Sequence, residues 1–143
     1  MIQTNEIPIK ELISTALEAR KKAYTPYSEF KVGAAVLTAE LRIYSGCNIE
    51  NAAYSPGICA ERTAVYKAIS EGSRKIIAIA IVGDKTGDSI TQYAFPCGVC
   101  RQVLREFSNP DEMIVIVAKS CDEYQLYTLN QLLPESFGPE NLK

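Results

Sequence analysis

The sequence contains no histidine. That absence excludes Ser-His-Asp and Cys-His nucleophilic catalysis, and with them every metal site built on imidazole. A metal held by side chains would rest on thiolates and carboxylates instead. Long apolar runs are missing too. None approaches the length of a membrane span. The opening "MIQTNEIPIKELI" has neither an uninterrupted apolar core of signal-peptide length nor a small-residue cleavage site. Nor is there an excess of positive charge: 15 Lys and Arg stand against 17 Asp and Glu, a net charge of -2. No basic run offers a surface to neutralise a polynucleotide backbone. The expectation is a cytoplasmic protein whose partner is a small molecule or another protein, with no polynucleotide and no membrane.

Five cysteines remain. In the cytoplasm thiols stay reduced, and an odd count argues against a complete disulfide framework. The 143 residues, 47% of them hydrophobic and 22% charged, fit one soluble domain spanning 1–143 that can bury a core without staples.

Helical spacing runs from Pro8 to Tyr24, through Ile9, Leu12, Ile13, Ala16 and Leu17. "YTPYSEF" then reads as a loop. Phe30, Val32, Ala34 and Val36 alternate, as do Leu41, Ile43 and Ser45, predicting a hairpin. A helix follows from Cys59 and ends at the capping Gly72. "IIAIAIV", Ile76–Val82, and "MIVIVA", Met113–Ala118, read as strands buried on both faces. Between them Pro96 opens a helix with Val99, Val103, Leu104 and Phe107 on one side. A short strand at Gln125–Tyr127 and the helical turn "LNQLL" complete the order. Strand-helix-strand units after a hairpin imply one mixed sheet with helices on both faces.

The stretch "PCGVC" alone leaves three readings open: a redox pair at a helix start, two core cysteines, or part of a metal site. "ICAERTA" adds a third cysteine at another helix start. Three thiolates with one open position form a catalytic zinc pattern, since structural sites are closed by a fourth protein ligand. Cys47 and Cys121 read as a small buried residue and a surface residue. Three thiolates on Zn²⁺ leave a charge of -1. Helix N-termini and Arg62, one turn beyond Cys59, can offset it; Gln102 is a further candidate partner of the cluster. Glu61, two residues after Cys59, is placed as general base. Alone, it would read as a surface glutamate favoured by the helix dipole.

Together, "CAE" and "PCGVC" resemble the signature of the zinc-dependent cytidine/deoxycytidylate deaminase superfamily, with cysteine where related branches carry histidine. That substitution is similar to the small homotetrameric cytidine deaminases. "YTPYSEFKVGAAV", "GCNIENAAY", "PCGVCRQVL" and "LLPESFGP" resemble the same family in the same order. The resemblance implies a three-layer α/β/α sandwich around a five-stranded mixed sheet. It implies one zinc per subunit on Cys59, Cys97 and Cys100, with Glu61 as proton shuttle. Phe30, Asn48, Glu50, Tyr54 and Ala60 would bind the nucleoside, Asn48 and Glu50 through ribose hydroxyls. Phe137 would reach in from a neighbouring subunit of a homotetramer with shared active sites. The implied reaction is hydrolytic deamination of cytidine and 2′-deoxycytidine in pyrimidine salvage. Rival readings are a blasticidin S-type deaminase, a non-catalytic zinc module and a redox protein.

Overall fold

The computed structural model describes residues 6–143. Helix α1 (Ile9–Arg20) precedes the hairpin β1 (Phe30–Thr38) and β2 (Ile43–Cys47). Then come α2 (Ala60–Ser70), β3 (Ile76–Lys85), α3 (Gly98–Glu106), β4 (Ile114–Ser120), β5 (Glu123–Thr128) and the short α4 (Leu129–Leu132). The strands form one five-stranded sheet in the order β2-β1-β3-β4-β5. Only β3 and β4 pair in parallel. A parallel pair needs a crossover rather than a tight turn, and α3 supplies it. Both ends of this unit therefore belong to buried strands, which fixes where α3 begins.

The sheet is apolar on both faces because alternate residues serve different helices. Ala35, Leu37, Ala78, Ala80, Val82 and Ile116 pack with Leu12, Ile13 and Ala16 of α1. Their neighbours Ala34, Val36, Ile79, Ile81, Val115 and Val117 pack on the other side with Ala64 and Val65 of α2 and Leu104 of α3. The result is three layers, α1, the sheet, then α2 with α3. The α1 side of β1 carries Gly33, where a Cβ would lie 2.0 Å from the Ala16 carbonyl oxygen. Only glycine lets helix and strand approach so closely.

Helix α1 stops at Arg20, short of the Tyr24 expected from spacing. Arg20 is buried, and its guanidinium donates to the carbonyls of Lys31 (3.0 Å), Gly87 (2.8 Å), Asp84 (3.0 Å) and Lys85 (2.7 Å). Four acceptors satisfy a charge that would otherwise be costly to bury. They also stitch β1 to the end of β3. Tyr24, beyond the helix, forms a parallel bridge with Ile49. Helix α3 begins at Gly98 rather than Pro96, with Cys97 as its N-cap. Val99, expected on the inner side, is exposed. Cys100 and Leu104, four apart, centre the buried face, and Val103 and Phe107 flank it half-buried. The strands extend a few residues beyond their apolar runs, since backbone pairing continues where side chains turn polar. Among the described residues no helix is long and apolar enough to cross a membrane.

Candidate active site

Cys59 is the N-cap of α2 and Cys97 the N-cap of α3, both with extended backbone. Cys100 follows one turn into α3. An N-cap side chain faces the free N–H groups of its helix, and the Cys97 sulfur accepts from the Cys100 N–H at 3.4 Å. Gly46 of β2 lets α2 settle against the hairpin, because a Cβ there would lie 2.6 Å from the Ala64 nitrogen and 2.9 Å from the Ala60 oxygen. This close approach fixes the start of α2, and so Cys59.

The three sulfurs lie within 4.8 Å of one another. Cys59 and Cys97 are 4.0 Å apart, and Cys97 and Cys100 are 3.5 Å apart. Tetrahedral zinc with sulfur bonds of about 2.3 Å separates its ligands by roughly 3.8 Å. The donor set therefore fits zinc, with one coordination position left for something other than a protein ligand. Disulfide pairing is absent among the described cysteines; all five are free thiols.

Charge at the cluster is shared unevenly. The Cys59 thiol is held well below its ordinary pKa, first by the Cys100 thiol that donates to it and then by Arg62. Cys100 is pushed up in turn, chiefly by that same interaction and by burial. Arg62 donates from a terminal guanidinium nitrogen to the Cys59 sulfur at 3.5 Å. The thiolate raises the pKa of the guanidinium and keeps it charged. Glu61, in the first turn of α2, is buried at 5% exposure. Burial pushes its carboxyl up to about 7; the Cys59 charge adds to the rise, while its own backbone N–H opposes it. A carboxyl poised near neutrality exchanges protons readily in both directions.

Cys59, Cys97 and Glu61 all open onto one cavity of about 760 Å³. That volume suits a small molecule of nucleoside size. Ala60 and Arg62 line it beside them. Phe30, Asn48 and Glu50 also line it, together with the fully exposed Tyr54. Asn48 and Glu50 flank Ile49, which bridges Tyr24 on one side and Ile58 on the other. In this extended segment alternate side chains share a face, so both reach the cavity. Asn48 accepts from the Val32 N–H at 2.9 Å and donates to the Phe30 carbonyl at 2.9 Å. One amide hydrogen and one lone pair remain free for a ligand.

One expected residue stands away from the sulfurs. Gln102 is exposed, and its amide donates to the Phe137 carbonyl at 2.9 Å rather than to a sulfur. The reason is helical geometry: two residues beyond Cys100 is about 200° around the axis, so Gln102 faces away from the cluster. Phe137 is 59% exposed and does not line the cavity of its own chain. Ser28 was not singled out from the sequence, yet it contacts both Phe30 and Glu50. Its only sequence signal is its place in the loop "YTPYSEF", just before the strand.

Known proteins are similar to this one along nearly the whole chain. Residues 7–117 match the family described as the cytidine and deoxycytidylate deaminase zinc-binding region. A cytidine deaminase of Sporosarcina psychrophila is 46% identical over 134 residues, covering 94% of each chain. One of Halalkalibacterium halodurans is 44% identical, covering 92% of this chain and 95% of that protein. The crystal structure of cytidine deaminase from Burkholderia pseudomallei superposes with a TM-score of 0.78 at 39% identity, over 95% of this chain and all of the other. With three sulfurs at zinc spacing and a buried glutamate beside them, the chain belongs to the cytidine and deoxycytidylate deaminase family with its zinc-binding region.

Proposed function

We propose that the protein is a hydrolytic deaminase converting cytidine and 2′-deoxycytidine to the uridine products with release of ammonia, in pyrimidine salvage. The observation that carries this reading is the buried carboxyl of Glu61, near neutral in pKa, on the same cavity as Cys59 and Cys97. Cys59, Cys97 and Cys100 would hold one zinc ion per subunit. Zinc held there would supply Lewis acidity, activating water near neutral pH.

The remaining chemistry belongs to the chain. Glu61 takes a proton from the attacking water and delivers it to N3 of the base as oxygen adds to C4. It then passes a second water proton to the exocyclic amine, and the C4–N bond breaks. One carboxyl serves as base and then as acid because each proton it takes is given back. Burial keeps that shuttle away from bulk water. Phe30 and Ala60 would enclose the base, Tyr54 the rim, and Asn48 and Glu50 would read the sugar hydroxyls. Arg62 offsets the negative charge of the thiolates.

Exposed Phe137 fits a residue that completes a neighbouring copy's site, in a homotetramer with shared active sites. The whole span 1–143 acts as one catalytic domain in this reading, and free thiols at the centre suit the cytoplasm. The test is an absorbance assay run in parallel with cytidine, 2′-deoxycytidine, adenosine and blasticidin S, alongside a zinc determination. Turnover of the two cytidines with one zinc per chain is expected. Turnover of blasticidin S alone, or a protein without zinc, would overturn the reading.

A further inference from the structure

The Ser28 side chain joins two residues that line the cavity, Phe30 and Glu50. The Ser28 hydroxyl oxygen accepts from the Phe30 N–H at 3.0 Å. A hydroxyl has a single proton, and here it is donated to one carboxylate oxygen of Glu50. The other carboxylate oxygen accepts from the Tyr27 N–H at 3.0 Å and the Ser28 N–H at 3.1 Å. The turn is shaped for this: Glu29 takes a left-handed backbone, φ 59°, and closes back on the Thr25 carbonyl at 3.0 Å. Three donors thus fix a carboxylate that is only half-buried, and they hold its pKa below the ordinary range, the Ser28 hydroxyl foremost. The oxygen bonded to Ser28 has a lone pair to spare, and Glu50 lines the cavity.

From this arrangement we infer that Ser28 is a positioning residue for the sugar of the substrate. It orients the Glu50 carboxylate so that its open lone pair accepts a ribose hydroxyl, and it ties that carboxylate to the strand bearing Phe30. The role rests on reading the cavity as a nucleoside site. Ser28 touches neither the base nor the metal ligands, so it governs binding and leaves the bond-breaking step alone. Its hydrogen bond acts only where a 2′- or 3′-hydroxyl is present to be read.

The experiment is steady-state kinetics of the zinc-loaded enzyme on cytidine and on 2′,3′-dideoxycytidine. The proteins are wild type, Ser28→Ala, Glu50→Ala and the double variant. Ser28→Ala is expected to raise KM for cytidine about tenfold, the scale of one hydrogen bond to a charged group, with kcat within about twofold. On the dideoxy substrate its effect is expected to vanish. In the Glu50→Ala background the Ser28 penalty should shrink to about twofold or less, since contacting residues couple in such cycles. A turn that merely stabilised the fold would give an equal penalty with both substrates and additive losses in the cycle. Either result, or a fall in kcat at unchanged KM, overturns the role of Ser28. Failure of the wild type to turn over cytidine would instead overturn the functional reading itself.

Discussion

The guanidinium of Arg62 donates to the Cys59 sulfur at 3.5 Å, while its Nε is buried without a partner among the described residues. A buried donor is left unsatisfied only at a cost, so this side chain is held in place by the charge it faces. Three thiolates outweigh one zinc ion, and Arg62 brings the balance back toward neutrality.

Arg62→Gln should therefore loosen the metal. Partners of metal ligands typically contribute about 10–100-fold to affinity or activity, and a loss in that range is expected. Competition with a chromogenic chelator measures it. Zinc retention equal to that of the wild type would mean that helix N-termini alone balance the sulfurs.

Glu61→Ala should separate metal binding from catalysis. The carboxyl is not among the sulfur donors, so zinc content should stay at one per chain. Activity on cytidine should fall by at least 10²–10⁴-fold, the usual contribution of a positioned acid-base group. Metal analysis and an absorbance assay on one preparation decide it. Near-normal turnover would return Glu61 to a passive role.

These two residues were legible in the sequence because their relation to Cys59 is local. Three residues along a helix returns to the same side, which put Arg62 near the sulfur. Gln102 stands apart because Cys100 lies inside α3, where a two-residue step turns about 200°; Glu61 escapes that rule because Cys59 caps α2 with extended backbone. The α/β layering was legible from alternation in "FKVGAAV" and the unbroken apolar runs of β3 and β4. Arg20 and Ser28 were not legible. Arg20 meets four backbone carbonyls, and Ser28 meets a backbone N–H and the distant Glu50 carboxylate; those positions depend on how β1, β3 and the loops assemble.

Phe137 gives a prediction that depends on assembly. Its backbone is tied to Gln102, and its neighbour Ser136 accepts from Arg105 at 2.8 Å, which holds the C-terminal segment on α3. Phe137→Ala should raise KM for cytidine through loss of stacking, by roughly 0.5–1.5 kcal/mol or more. Mixing subunits locates the ring. Co-assembled Phe137→Ala and Glu61→Ala chains should contain sites with Glu61 from one chain and Phe137 from another. At low substrate such mixtures should exceed the summed activity of the two separate proteins. Strict additivity would assign Phe137 to packing within its own chain.

Asp84 offers a test of fold stability away from the chemistry. Its carboxylate accepts from the N–H of Lys85 and Thr91 at 2.7 Å each, from the Thr91 hydroxyl at 2.9 Å and from the Gln92 amide at 3.2 Å. These bonds, led by the two backbone N–H groups, hold its pKa below the ordinary carboxylate range. A carboxyl whose pKa is depressed by folding adds stability above its unfolded pKa, about 3.9 for aspartate. That stability is lost as pH falls from there through the lower folded value. Asp84→Ala should therefore lower Tm at pH 7, and the gap to the wild type should narrow as pH drops below about 4. The segment Lys85–Gln92 precedes Ala94 and Phe95 on the cavity wall, so KM should rise along with the loss of stability at neutral pH. Parallel thermal melts from pH 3 to pH 8 measure the first effect. A Tm difference independent of pH would mean that Asp84 contributes through packing, with its charge irrelevant to the loop.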